Sequence, residues 1–261
     1  MKITILTLFP EMFDGFLTNS IIKRAIANNI VEVNIVNIRD YTLDKYGRVD
    51  SAPVGGGAGL IMKCQPVIDC LNAVKTNESR TYLLSPRGKT FNQQKAHEIA
   101  AKQKEIILIC GHYEGIDERV NDYVDELISI GDFILTGGEI ASMAISDSII
   151  RLLDGAIANE SIIEESFENG LLEYPQFTEP YDYNGKKIPD ILYSGNHKAI
   201  DKWRKKESLR LTKEYRNDLF INYELNKEEK KLLSELDDPS TPSWEKEAIE
   251  KGHKFIKKDN E

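Results

Sequence analysis

From Met1 to about Gly155, short β-branched runs alternate with stretches in which apolar residues recur at helical spacing. Residues 2–9, 31–38, 80–85 and 105–110 predict strands. Residues 10–28, 65–75, 92–104, 117–127 and 137–153 predict helices, the first opened by Pro10 in its first turn. Strands separated by helices predict an α/β fold, a mostly parallel sheet with helices on both faces. Ligands of such sheets gather at the loops leaving the strands' carboxyl ends.

The pattern then changes. Residues 158–182 hold seven acids and no Lys or Arg, whereas 186–218 carry ten Lys or Arg against five acids. These shifts divide the chain into an α/β domain over 1–157, a flexible acidic linker over 158–172, a small basic helical C-terminal domain over 173–250 and a tail over 251–261, frayed from Lys254. Helix starts are expected at Asn226-Lys227-Glu228-Glu229 and at Thr241-Pro242-Ser243-Trp244-Glu245, where Asn or Thr can cap.

Composition narrows the function classes. At 261 residues, 41% hydrophobic and 30% charged, the chain is an ordinary globular one. Its 34 Lys and Arg against 43 Asp and Glu give a net charge of −9, which opposes indiscriminate binding to a polyanion, so a nucleic-acid partner needs a locally basic surface. Cys64, Cys70 and Cys110 form no C-x-x-C pair and read as small buried hydrophobes in a reducing, cytoplasmic setting. No apolar stretch is long enough to span a bilayer, and the first apolar run is too short for a signal peptide, so neither membrane nor export is expected.

Three glycine-bearing loops are the candidates for chemistry. Pro53-Val54-Gly55-Gly56-Gly57-Ala58-Gly59-Leu60 is neither a P-loop, lacking the Lys and hydroxyl, nor a dinucleotide fingerprint, since Leu60 stands where that needs Gly. Taken alone it is a flexible turn as readily as a site. The run from Cys110 to Arg119 follows a strand and leads into a helix that Asp117 can cap, a junction that offers N–H groups to a small ligand. Thiol catalysis by Cys110 is disfavoured. In the run Ile130 to Glu139, Thr136 and Glu139 predict a capping box opening the helix through Leu153. Asp147 and Arg151 share a face of that helix, either as a surface pair or with the guanidinium aimed into a site.

The runs Leu8-Phe9-Pro10-Glu11-Met12-Phe13, Gly55-Gly56-Gly57-Ala58-Gly59, Leu84-Ser85-Pro86-Arg87-Gly88, Gly111 to Arg119, Ile130 to Glu139 and Ser194-Gly195-Asn196-His197, followed by Trp203-Arg204, stand in one order. In that order the chain resembles the bacterial tRNA (guanine-N1)-methyltransferases from residue 1 to about 235. The resemblance implies a SPOUT-class fold with a deep trefoil knot, a homodimer, and S-adenosylmethionine as cofactor. It implies methyl transfer to N1 of the guanine immediately 3′ of the anticodon of tRNA, that guanine being preceded by another. Magnesium comes with the resemblance too, although no metal-ligand cluster is visible and no residue is assigned to a metal.

Carried onto this chain, the cofactor residues are Leu84, Ser85, Pro86, Gly111, Tyr113, Glu114, Ile130, Gly131, Asp132, Phe133, Ile134, Leu135, Gly137 and Gly138. N1 of guanine carries a proton at neutral pH and needs a base, while charge developing at O6 needs a cation. The matching positions give Glu165 and Arg151. The family usually has Asp where Glu165 stands, so Glu164 competes for the role; Ala58 and Ala141 replace frequent prolines. Lys202, Arg204, Lys205, Lys206 and Arg210 are the expected RNA contacts. Two other readings are a nucleotide-dependent oxidoreductase and a catalytically impaired RNA-binding protein on the same scaffold.

Overall fold

The computed structural model describes residues 1–158, 162–237 and 240–252. The expectations for 159–161 of the acidic linker and for 253–261 of the tail lie outside the described residues. The chain forms two compact units, Met1–Ser161 and Ile162–Glu261.

In the first unit, β1 (Lys2–Thr7) leads through a 3-10 turn at Pro10–Phe13 into α1 (Asp14–Thr18) and α2 (Ser20–Ala27), then β2 (Glu32–Asn37). The short pair β3 (Asp50–Ser51) and β4 (Ile61–Met62) flanks the glycine-rich loop; α3 (Cys64–Val74), β5 (Ser79–Thr90), α4 (Gln93–Lys102), β6 (Glu105–Ile109), β7 (Glu126–Ser129) and α5 (Glu139–Ile150) follow. The main sheet has the order β2-β1-β6-β5-β7, with every neighbouring pair parallel. Side chains alternate between its faces. Ile3, Ile5, Ile106 and Leu108 pack with Ile22, Ile99, Ile145 and Ile149 of α2, α4 and α5, while Leu6, Ile107 and Ile109 pack with Val67, Cys70 and Leu71 of α3.

Three local expectations need correction. The helix predicted over 10–28 is interrupted at Asn19, whose backbone is extended (φ −127°, ψ 159°) and whose side-chain amide donates to Gly15 O. The helix predicted over 117–127 is a 3-10 turn at Glu118–Tyr123 followed by β7. Asp117 does cap that turn, accepting from Arg119 N at 3.0 Å. The capping box at α5 is absent: Gly138 is the N-cap with no side-chain bond, and the Glu139 carboxylate turns inward to accept from Thr7 Oγ1 at 2.8 Å.

The second unit is built from the exposed hairpin β8 (Asp182–Tyr183) and β9 (Lys186–Lys187), α6 (His197–Tyr215), α7 (Asn217–Phe220), α8 (Lys227–Leu236) and α9 (Ser243–Gly252). Asn226 and Glu229 form the expected capping box at α8. Apolar side chains gather in two small clusters, around Ile191, Trp203 and Ala248 and around Leu171, Leu209 and Leu232.

Candidate functional site

The carboxyl ends of β5, β6 and β7 open onto a cleft of about 570 Å³, within the few hundred to a thousand Å³ typical of small-molecule sites. Its first wall is a bulge in β5. Leu84 and Lys89 both pair with Ile128, so residues 85–88 leave the ladder and carry Ser85, Pro86 and Arg87 into the cleft. Gly88 permits this, because a Cβ there would overlap the Ile128 backbone.

The second wall is the loop after β6. Gly138 N donates to Gly111 O at 2.8 Å and His112 bridges Gly137, so this loop and the turn before α5 lie backbone against backbone. A Cβ on Gly138 would stand 2.8 Å from Cys110 Cα, closer than packed side chains approach. Tyr113 takes a left-handed backbone (φ +59°). The third wall is the run after β7, where Ser129 Oγ bonds both Gly131 N and Gly131 O, and Ile130, Ile134 and Leu135 supply apolar surface. Of the cofactor residues named from the sequence, all but Asp132 line this one cleft. Burial pushes the Cys110 thiol well above its usual range, which removes it as a nucleophile at neutral pH.

The arrangement suits a flat heterocycle held between apolar walls by main-chain N–H and C=O groups, with glycines allowing close approach. Among the described residues no group of three His, Cys, Asp or Glu is placed to hold a metal ion, and no helix is long and apolar enough to cross a membrane.

In the second unit a smaller pocket of about 220 Å³ is lined by Glu164, Glu165, Glu173, Tyr174, Asp201, Arg204 and Lys205, among others. The Tyr174 hydroxyl donates to Glu164 at 2.6 Å, and Arg204 lies over the Tyr174 ring and 3.8 Å from the same carboxylate. Burial, then the bond to Glu164, pushes the Tyr174 hydroxyl up to about 12. Glu164 is thus committed to two partners within its own unit.

A profile of the family tRNA (Guanine-1)-methyltransferase TrmD matches residues 1–222. The tRNA (guanine-N(1)-)-methyltransferase of Clostridium botulinum (strain Hall) is 55% identical over 237 residues, 90% of this chain and 98% of its own. Proteins of the same name from Clostridium acetobutylicum and Malacoplasma penetrans are 53% and 54% identical, over 90% and 85% of this chain and 97% and 98% of theirs. The chain belongs to this tRNA (guanine-1)-methyltransferase family.

Within this family member, Arg151 caps the carboxyl end of α5 in the first unit and does not line the cleft, while Glu165 lies in the pocket of the second. The five basic residues named as RNA contacts all meet carboxylates. Lys202 approaches Glu235 (4.0 Å), Lys205 approaches Glu229 (3.6 Å), and Arg210 bonds Glu207 and Glu214 (both 2.8 Å). Arg204 meets Asp201 as well as Glu164. Lys206 is 8% exposed and bonds Glu245 at 2.7 Å, pinning α9 to α6. Lys186, Lys198 and Lys213 are exposed and form no ion pair among the described residues. Sequence reasoning did not single out Arg87 and Glu118, which also line the cleft, although both stand inside motifs that it quoted.

Proposed function

We propose that the protein transfers a methyl group from S-adenosylmethionine to N1 of the guanine immediately 3′ of the anticodon of tRNA. Family membership supplies the methyl transfer and the tRNA guanine. The observation that carries the rest is the cleft made by the β5 bulge and the loops after β6 and β7, whose fit to the cofactor rests on its backbone cradle: a Cβ at Gly88 or Gly138 would fill the space the main chain uses. Bound there, S-adenosylmethionine supplies an electrophilic methyl group on a sulfonium. Main-chain groups of Gly111, Tyr113, Ile130, Gly131 and Phe133 to Leu135 hold and orient the nucleoside part, and the apolar walls exclude water from it.

Glu165 takes the N1 proton of guanine and Arg151 stabilises the charge left toward O6. The position of Glu165 immediately before Ser166-Phe167, where the family carries an acidic residue, supports it over its neighbour Glu164. The base and the cation stand in separate units, and Phe133, Ile134 and Ile140 are more than half exposed, apolar surface of the kind an interface covers. Both support a homodimer that shares its sites. The trefoil knot is proposed from family membership. Residues 1–157 serve as the cofactor domain, 158–172 as the linker and 173–250 as the tRNA-binding domain. A tRNA substrate and three free cysteines favour the cytoplasm. The described residues offer no three-ligand cage for magnesium.

Labelled methyl transfer from S-adenosylmethionine to tRNA transcripts tests the proposal. A transcript with guanine 3′ of the anticodon is expected to be methylated and one with adenine there is not. Equal labelling, or binding of the guanine transcript without transfer, would overturn it, the latter in favour of the impaired RNA-binding reading.

A further inference from the structure

Along α6 the cations expected to meet RNA each face a carboxylate, and the cations of the second unit that do not include Lys186 and Lys187, in the exposed hairpin of β8 and β9. The hairpin pairs Asp182 with Lys187 and Tyr183 with Lys186 across a two-residue turn, Asn184-Gly185, whose residues are both left-handed (φ +56° and +82°). Such a turn matches the twist of the strands it joins. The Asp182 carboxylate accepts from Gly185 N at 2.8 Å, and N–H of the buried Ile188 donates to Tyr181 O at 2.9 Å and closes the base. The hairpin is held in one shape.

Residues directly opposite each other share a face of the pair. One face presents Tyr183, 67% exposed, beside the exposed Lys186. On the other stand Asp182 and Lys187, with Lys187 Nζ 6.0 Å from the centre of the Tyr181 ring. The nearby carboxylates are engaged: Asp182 by Gly185 N–H, Asp190 by the Tyr181 hydroxyl at 2.7 Å, and Glu179 by the Tyr193 hydroxyl at 2.9 Å. Lys186 and Lys187 form no ion pair among the described residues. Neither cleft described above is lined by the hairpin, so a small ligand finds no enclosure there. An open ring with a free cation at its side suits a polyanion that also offers flat rings, and unpaired RNA is such a chain, since aromatic side chains stack on its bases and lysines meet its phosphates. A base inside a duplex has both faces covered by its neighbours.

We propose that the β8–β9 hairpin holds an unpaired nucleotide of the tRNA, Tyr183 stacking on its base and Lys186 taking an adjacent phosphate. Lys187, across from Asp182 on the other face, contributes less. This contact rests on the reading that the second unit binds tRNA.

Filter binding of a tRNA transcript and of a fully paired RNA duplex, over a range of salt concentrations, tests it. Tyr183→Ala should weaken tRNA binding by about fivefold or more, and Tyr183→Phe, which keeps the ring, should stay near the parent. The duplex should bind both variants as it binds the parent. Lys186→Gln should flatten the salt dependence of tRNA binding by about 0.7 in slope for one lost phosphate contact on the single-strand figure, and Lys187→Gln by less. Affinity for S-adenosylhomocysteine should be unchanged in all four variants. Parental tRNA affinity in Tyr183→Ala, an equal loss in Tyr183→Phe, an equal loss on the duplex, or equal slope changes for the two lysines would overturn the contact. Failure of the unaltered protein to bind tRNA would overturn the tRNA reading and the contact with it.

Discussion

The cleft of the first unit is made mainly of backbone, and the charged face of the second mainly of paired side chains. In the cleft, glycines and left-handed residues fix main-chain groups at short range: Gly138 packs on Cys110, and Tyr113 sits at φ +59°. Along α6, by contrast, Lys202, Lys205, Lys206 and Arg210 each answer a carboxylate. A site of the first kind tolerates little added volume. One of the second kind holds its cations in reserve, because any phosphate has to compete with a carboxylate already in place.

The largest effect that sharpens this contrast is expected at Lys206. Its pair with Glu245 is nearly buried, and Lys206→Met leaves that carboxylate without its partner, at a cost of about 3 kcal/mol read by urea denaturation. Lys206→Met/Glu245→Leu should recover much of the loss. If Lys206→Met unfolds at the parent midpoint and instead loses RNA affinity, Lys206 belongs with the reserve cations and the contrast fails at that point.

Next comes Gly138→Ala. Its Cβ would stand 2.8 Å from Cys110 Cα, so the two loops must separate. Stability is expected to fall by about 1–3 kcal/mol, and S-adenosylhomocysteine affinity should fall at temperatures where the variant is folded. Parent-like thermal unfolding and affinity would show that the loops are not held backbone to backbone.

The smallest effect belongs to the half-buried lysines of α6 whose ion pairs are longer. Replacing Lys202 and Lys205 by Gln should flatten the salt dependence of tRNA binding by about 0.9 in slope per lost phosphate contact on the duplex figure. Cofactor affinity and stability should stay close to the parent's. A parent-like salt slope would assign these lysines to their carboxylates alone.

The same contrast governs what could be read from the sequence. Strands β1, β2 and β6 and the start of β5 are visible because β-branched runs that lie in a sheet covered on both faces have little else to become. Strand β7 is not, since Glu126-Leu127-Ile128-Ser129 is too short to show a period, and Val120, Val124 and Leu127 recur at helical spacing. Glu139 looked like a cap and is 2% exposed, held by Thr7 from a distant strand that spacing cannot reveal. The loops of the cleft are legible because a backbone-built site spells its requirements as glycine. The ion pairs of α6 are not, because Glu229, Glu235 and Glu245 reach their partners from other helices. Arg87 stands at the β5 bulge, and only the fold brings Glu118 to it.

Glu165, the proposed base, and Glu164, its competitor for the role, line the same pocket of the second unit. Single-turnover methyl transfer by Glu165→Gln and Glu164→Gln, at saturating cofactor and tRNA, tests the assignment most directly. Glu165→Gln should transfer methyl at least about 100-fold more slowly with near-parental binding of both substrates, as loss of a general base requires. Glu164→Gln should keep most of the rate. Parental transfer by Glu165→Gln together with the large loss in Glu164→Gln would contradict the assignment and move the base to Glu164.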